Sequence, residues 1–418
     1  MNQKILIIGA VFPEPNSTAA GSRMLQIVEQ FQNKNWQINF ASTASESEFS
    51  FDFKSLAINS FQIKMNDSGF DDLIKKINPT IVVFDRFMIE EQFGWRVAEN
   101  CPDCLRVLDT EDLHFLRKTR HNNLKKNIEF TDNDLLNSDL AKREIASIYR
   151  CDLSLIISSF EMNLLSSVFK IDKKILCYLP FLLKKIAKDG FKTFPSLAER
   201  QHFISIGNFR HEPNWDAVLY LKNNIWRHIK KQLPDAEIHI YGSYVTEKAQ
   251  QLHNPKEGFI IKGRADNAHA VIKNARVLLA PLRFGAGLKG KLIDAMQTGT
   301  PFVTSEIGAE GMFCDFANSE NEFVEKSISI YKDETLWKTA QQNGVEIINN
   351  YFEKSIFETE FFETIIGVQN NLEQHRTDNF IGNLLQHHTM QSTKYMSRWI
   401  ESKQTPSPSG RVGVGLYP

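Results

Sequence analysis

At 418 residues, 42% hydrophobic and 24% charged, the chain has the make-up of a soluble globular protein too long for one core, so two domains and an extension are expected. Its net charge of −1 supplies no global basic field, which argues against nucleic acid as a partner. No apolar run approaches the roughly 18–20 residues of a membrane span, and five cysteines, an odd number, suit a reducing cytoplasm better than a disulfide framework.

Residues 4–9 form a short apolar run of the kind that makes a central parallel strand, and the N-terminus reads as that strand rather than as a signal peptide. A loop with Pro13 and Pro15 leads to Gly21-Ser-Arg23, where a helix begins with apolar residues at helical spacing (Met24, Ile27, Val28, Phe31). Strands are then expected at 37–41, 80–85, 106–109, 153–158 and 174–178. Helical stretches near 70–77, 90–100, 110–149 and 160–169 lie between them, as in a parallel sheet covered on both sides. Cys101-Pro-Asp-Cys104 has metal-ligand spacing, but no second pair accompanies it, so packing cysteines at a helix end are expected and no metal.

Residues 181–201 break the alternation with a basic, apolar stretch around Gly190 and Pro195. It reads as an inter-domain linker, the alternative being a basic segment lying on an anionic membrane surface. A second alternation runs from 202 to about 350, with strands at 203–207, 237–242, 259–262, 277–280 and 302–305. The resulting division is 1–180, linker 181–201, 202–350, a helix at 351–370 returning toward the first domain, and a polar helical extension with a disordered tail at 371–418. Within that extension a helix is expected at 389–401, and Thr405-Pro-Ser-Pro-Ser-Gly has the composition of a tail. Two doubly wound sheets in tandem place ligand sites beyond the carboxyl ends of their strands, in a shared cleft.

The most informative stretch is Pro281-Leu-Arg-Phe-Gly-Ala-Gly-Leu-Lys-Gly-Lys-Leu-Ile-Asp-Ala-Met296. It reads as a strand end, a glycine-rich turn and a helix start carrying Lys289, Lys291 and Asp294. Glycines admit an anion close to the backbone, helix amides point at it and lysines add charge, so the turn suits a phosphate. An ordinary strand-to-helix turn would also need such glycines.

Taken with Gly207-Asn-Phe-Arg-His-Glu-Pro-Asn-Trp-Asp-Ala-Val218, Ile240-Tyr-Gly-Ser243, Lys262-Gly-Arg264, Gly299-Thr-Pro-Phe-Val303 and Ile307-Gly-Ala-Glu-Gly311, this stretch resembles the retaining family-4 (group 1) glycosyltransferases of GT-B architecture. The resemblance is strongest over residues 202–312. It implies an α/β fold of two Rossmann-like domains facing a cleft, with a helical C-terminal extension. The implied activity is transfer of a sugar from a nucleotide-diphosphate sugar, as substrate rather than cofactor, to a glycan, glycolipid or glycoprotein acceptor.

Donor-binding residues implied by the resemblance are Gly285, Ala286, Gly287, Leu288, Lys289, Lys291 and Asp294, with Asn208 and Arg210 after the first strand of the second domain and Gly263 and Arg264 near the base. Asp294 stands where the family has a ribose-binding glutamate, and Ala286 where many members have a glutamate near the donor sugar. The family's diphosphate-binding arginine and lysine correspond to Asn208 and Pro213, so Arg210, Lys289 and Lys291 are expected to supply that charge. Gly21 and Arg23 are expected to grip the diphosphate from the opposite domain.

On the acceptor side the strand ends of the first domain offer Asp85, Arg86 and Glu91 as acceptor contacts, and Glu90, Asp112 and His114 as catalytic candidates. His114 resembles the family's cleft histidine, while Glu90 and Asp112 have the alternative of capping helices. Expulsion of a diphosphate without a metal calls for cations and helix N-termini, and no Asp-x-Asp pair is present at a suitable loop, so metal independence is expected. A cytoplasmic location follows, with peripheral association at the inner membrane face as a further option; no oligomeric state is implied. A nucleotide-sugar 2-epimerase or a non-catalytic nucleotide-sugar-binding protein are the alternatives on the same architecture.

Overall fold

The structure, a computed structural model, describes residues 3–404; the Pro/Ser/Gly-rich stretch from Thr405 lies outside them. Two parallel sheets organise the chain. The first has seven strands, β1 (Lys4–Gly9), β2 (Gln37–Ser42), β3 (Asn59–Gln62), β4 (Ile81–Asp85), β5 (Leu105–Asp109), β6 (Leu153–Ile156) and β7 (Leu176–Tyr178), in the order β3-β2-β1-β4-β5-β6-β7. Every residue of β4, β5 and β6 is buried, because helices cover both faces of a parallel sheet and each side chain meets a core. The strand β3 has no apolar run to announce it. It is a four-residue edge strand, Asn-Ser-Phe-Gln, partly exposed and paired only with β2.

The second sheet has five strands, β8 (Gln201–Ile206), β9 (Ile238–Tyr241), β10 (Phe259–Gly263), β11 (Ala275–Ala280) and β12 (Phe302–Thr304), in the order β10-β9-β8-β11-β12. Residues between the sheets are well packed: Phe181, Leu182 and Leu183 are buried, and Leu183 bridges Glu353. In this basic stretch Lys188–Phe191 forms one α-helical turn and Leu197–Glu199 one 3-10 turn. Arg200 closes it. Its guanidinium is buried and donates to the carbonyls of Pro195, Ala275, Thr298 and Gly299 and to Thr300 Oγ1, tying the linker to the start of β8 and to β11 and β12.

The chain then returns to the first domain. Helix Ser355–Asn370 sinks Phe361, Phe362 and Ile365 into the core built on Ile5, Ile7 and Phe31. The polar stretch beyond it is helical over more of its length than its composition suggests, as Leu372–Asp378 and Phe380–Gln404. These helices lie on Phe87–Asn100 and Asp139–Arg150. Arg376 pins them by donating to both Asp152 carboxylate oxygens at 2.8 Å and to the carbonyls of Pro102 and Cys104, while Lys394 and Arg398 pair with Glu99. Cys101 and Cys104 are packed into the adjacent hydrophobic core.

Candidate active site

In each sheet the strand order reverses beside the first strand of its domain, between β1 and β4 and between β8 and β11. Loops leaving those strands diverge there, and a cleft of about 870 Å³ opens between the two sets of carboxyl ends. Its walls come from residues 15–20 after β1, Arg86 after β4 and Glu111–His114 after β5. The second domain contributes Gly207–Asn208 after β8, Arg264–His269 after β10 and residues 282–291 after β11.

The glycine-rich turn forms the floor. Gly287 adopts φ +63°, and a Cβ there would lie 2.8 Å from Asp112 Cβ, so glycine answers both a backbone and a space requirement. Helix Gly290–Gln297 follows, and its first residue abuts Ala19, the first residue of helix Ala19–Asn33 in the other domain. Lys289 sits at the N-cap, buried, with its ammonium on the carbonyls of Ala286 and Gly287. It holds the turn's shape. Lys291, one turn position further, lines the cleft and donates to Asn214 Oδ1 at 2.9 Å, with no carboxylate paired to it among the described residues. Burial lowers both ammoniums to about 8, and for Lys291 the neighbouring Lys289 charge adds to that effect. Asp294 faces the cleft one turn on, 3.1 Å from His269 Nε2.

Across the cleft, Asp112 and His114 stand on the β5 loop. Asp112 bonds Arg117, and its Oδ1 is 3.3 Å from His114 Nε2. Two buried carboxylates fix this loop from beneath. Glu144 accepts from the amides of His114 and Phe115, and Glu161 accepts from Leu113 N and, across the domain boundary, from Gly287 N. Burial, reinforced by the Arg86 charge, pushes the His114 imidazole down to about 4, so the ring is neutral at pH 7. His211, an exposed residue, opens onto the same cleft, and partial desolvation followed by the Arg117 charge lowers its imidazole. Glu111, Asp112 and His114 bring one potential ligand atom each within 4.8 Å, but Arg117 and the His114 ring already face the Asp112 oxygens.

Several expected positions fall elsewhere. Arg23 is 1% exposed and points inward, pairing with Asp109 at 3.1 Å and donating to the carbonyls of Leu179 and Pro180; it is a strut of the first domain and cannot reach a ligand in the cleft. Gly21 turns its back to the cleft, against the Glu14 backbone. Glu90 is one turn into helix Phe87–Asn100, on the face turned toward Asp139–Arg150, where it forms a buried pair with Arg150. Glu91 pairs with Arg143 on the outside. Asp85 lies behind Arg86, accepting from Ala10 N and from Arg86, and burial raises its carboxyl to about 6. Arg210 stacks over Tyr244 and Gly263 ends β10, both outside the cleft lining, whereas Arg264 lines it and stacks over Phe49.

Conversely, Asn208, Gly285, Ala286, Leu288, Lys289, Lys291, Asp294, Arg86, Asp112 and His114 all line the cleft. Residues not singled out from sequence join them, namely Arg117, His211, Asn214 and His269, and Glu111 lines it beside Asp112 at the same strand end. Two of these, His211 and Asn214, lie inside the Gly207–Val218 motif, and Arg117 sits three residues after His114, on the same helix face.

Comparison with known proteins gives a family match for the second domain and a shared fold for the whole chain. The family model for Glycosyl transferases group 1 matches residues 200–333. A curated relative from Klebsiella pneumoniae, an uncharacterized 44.6 kDa protein in the cps region, is 26% identical over 174 residues, which are 38% of this chain and 45% of the relative. The match thus spans less than half the length of that relative. Among solved structures, sucrose-phosphate synthase from Thermosynechococcus elongatus superposes with a TM-score of 0.65 at 14% identity, over 88% of this chain and 99% of that one. TarM of S. aureus, solved with UDP and alpha-GlcNAc-glycerol, gives 0.65 at 10% identity over 87% and 99%. HepE of Anabaena, solved with UDP and glucose, gives 0.61 at 12% over 87% and 100%. Residues 200–333 thus match the model for Glycosyl transferases group 1, and the chain as a whole shares the two-domain GT-B fold of these solved structures.

Proposed function

We propose that the protein transfers a sugar from a nucleoside-diphosphate sugar to a hydroxyl of a glycan, glycolipid or glycoprotein acceptor, with retention and without a metal. The observation that carries this reading is Lys291: a desolvated ammonium at a helix start, beside a glycine-rich turn, with a neutral amide as its hydrogen-bond partner and no paired carboxylate among the described residues. A cation held this way is poised for an anionic ligand. As the bond from the anomeric carbon to the diphosphate breaks, negative charge collects on the departing oxygen. Lys291 and the first amides of helix Gly290–Gln297 stabilise it.

Asp294, a short distance along the same helix, suits a ribose hydroxyl, with His269 steadying its carboxylate. On the opposite wall, Asp112 and neutral His114 face the sugar, and Arg86 and Arg117 add positive charge over the acceptor side. Solved structures that share the fold include HepE bound to UDP and glucose and TarM bound to UDP, which supports a nucleotide in this cleft. No helix among the described residues is long and apolar enough to cross a membrane, so a lipid-linked acceptor would be met at a surface.

The test is a mass-detected screen of nucleotide sugars with and without excess chelator. Slow release of free sugar and nucleoside diphosphate, unaffected by the chelator, is expected for one donor. Epimerised donor as the product, or binding without turnover, would overturn the transferase reading, and chelator-sensitive turnover restored by manganese would overturn metal independence.

A further inference from the structure

We propose that Glu161 is a positioning residue that closes the cleft in register, its carboxylate joining the Asp112–His114 loop of one domain to the glycine-rich turn of the other. Its meaning for turnover rests on the sugar-transfer reading above, whereas the geometry stands without it. Glu161 enters on the first turn of helix Ser159–Ser167, directly after β6, and its side chain is wholly buried. One oxygen, Oε1, takes both amides: Leu113 N at 3.1 Å and Gly287 N at 2.8 Å. The other oxygen has no hydrogen-bond partner among the described residues; burial raises the carboxyl, an effect opposed by the two amides and then by the Lys289 charge. Burying a carboxylate on two amides, with only the charge of Lys289 beyond them to offset the cost, is expensive, and the stability of the first domain accounts for only one of those bonds. The second bond exists only when the domains are together.

The surroundings give the same picture. At the turn, Arg120 of the first domain donates to Gly285 O and forms a two-pronged pair with Glu310. The carbonyl before Ala286 and the amide after it are thus both held from the opposite domain. A Cβ at Gly287 would stand 2.8 Å from Asp112 Cβ, so the two loops lie close enough that neither has room to move toward the other. Catalytic loop and donor turn are coupled through a single oxygen atom, and Glu161 fixes the distance between the two walls that substrate must bridge.

The experiment uses the full chain and two variants. Glu161→Gln keeps an oxygen able to accept both amides; Glu161→Asp is shorter by one methylene and cannot span them. Hydrogen exchange is followed in the peptide containing Gly287, with and without UDP, GDP or ADP, alongside kcat and KM for nucleotide-sugar hydrolysis. We expect the Gln variant to keep protection at Gly287 and near-normal kcat. The Asp variant should lose about tenfold in protection, the upper end for a single ordinary hydrogen bond. Its kcat should fall by at least the same factor, with KM changed less than about threefold because donor contacts are intact.

Wild-type exchange at Gly287 in the Asp variant, or an unchanged kcat beside lost protection, overturns the positioning role. Absence of hydrolysis in every form, wild type included, counts against the sugar-transfer reading while the exchange result still decides the contact. Should the Asp variant not fold, Gly287→Ala approaches the same joint from the donor side. It should expose the Leu113 amide to exchange, and unchanged protection there would likewise overturn the proposal.

Discussion

Replacing Lys291 by alanine separates a phosphate-binding lysine from a structural one. In the structure its ammonium has a neutral partner, Asn214, and is desolvated enough to titrate near 8. A charged hydrogen bond to a diphosphate oxygen is worth about 2 kcal/mol, so the dissociation constant of the tightest binder among UDP, GDP and ADP should rise about 30-fold at pH 7. The pH dependence carries the sharper signature. Bound phosphate favours the ammonium, so binding takes up a proton once pH exceeds the free-site value, and affinity should fall about tenfold per unit above pH 8 in the wild type. Lys291→Ala should lose that slope. Stability should move the other way, because the substitution removes a desolvated charge that no carboxylate repays, leaving the unliganded protein unchanged or more stable. Calorimetric titration from pH 7 to 10 with melting curves reads all three quantities. A dissociation constant within twofold of wild type, or a pH slope that survives the substitution, would refute the assignment.

Glu90→Ala strands the Arg150 guanidinium inside the first domain and should cost about 3–5 kcal/mol in denaturant unfolding, while nucleoside-diphosphate affinity per folded molecule stays unchanged. Arg200→Met removes the Arg200 donor from the carbonyls of Pro195, Ala275 and Thr298 and from Thr300 at the junction between linker and second sheet, while Gly299 O keeps Gln341 Nε2. It should destabilise by several kcal/mol, an estimate built from about 1–3 kcal/mol for each unsatisfied buried group, and a melting temperature within a degree of wild type would contradict that role. For His114, the native value near 4 lies below the ordinary histidine range. Its contribution to stability is therefore fully present above about pH 6.5 and is lost as pH falls through 4. The hydrolysis profile should accordingly show no His114 limb near pH 6.5. A carbon-13-labelled imidazole that titrates near 6.5 by NMR would show that the ring is not enclosed as described.

Much of the fold was legible because parallel strands covered on both faces are apolar along most of their length. Runs such as Ile81-Val-Val-Phe and Val277-Leu-Leu-Ala announce themselves for that reason. The edge strand β3 meets a core on one side only and pairs with one neighbour, so nothing obliged its Asn-Ser-Phe-Gln sequence to look like a strand. The Asn/Gln/His-rich extension hid its helices for a related reason. Much of its attachment to the first domain is polar, through Arg376, Asn379, Gln386, Lys394 and Arg398, and polar docking leaves little apolar periodicity to read.

At the cleft the division is different. A charged residue just after a strand end has the same local sequence signature whether it faces a ligand or the core. Arg86 and Glu90 show this within one helical turn: Arg86 lies at the mouth, and Glu90, four residues further on, is wholly occupied by Arg150, sixty positions away. The same holds for Arg23, whose partners Asp109 and the Leu179 carbonyl are remote in sequence, and for Lys289 against Lys291, two residues apart on the same turn. What separates a ligand-binding charge from a structural one is whether the fold supplies it with a partner. That information lies in tertiary contacts such as Arg150 to Glu90, so sequence could mark where cations gather near the glycine-rich turn but not which of them the fold leaves free. By this criterion Lys291, whose hydrogen-bond partner is an amide side chain, and Glu161, whose hydrogen-bond partners are backbone amides of both domains, are two charges whose placement the stability of a single domain does not explain. Both lie where the domains meet, and the work they do is to be sought there.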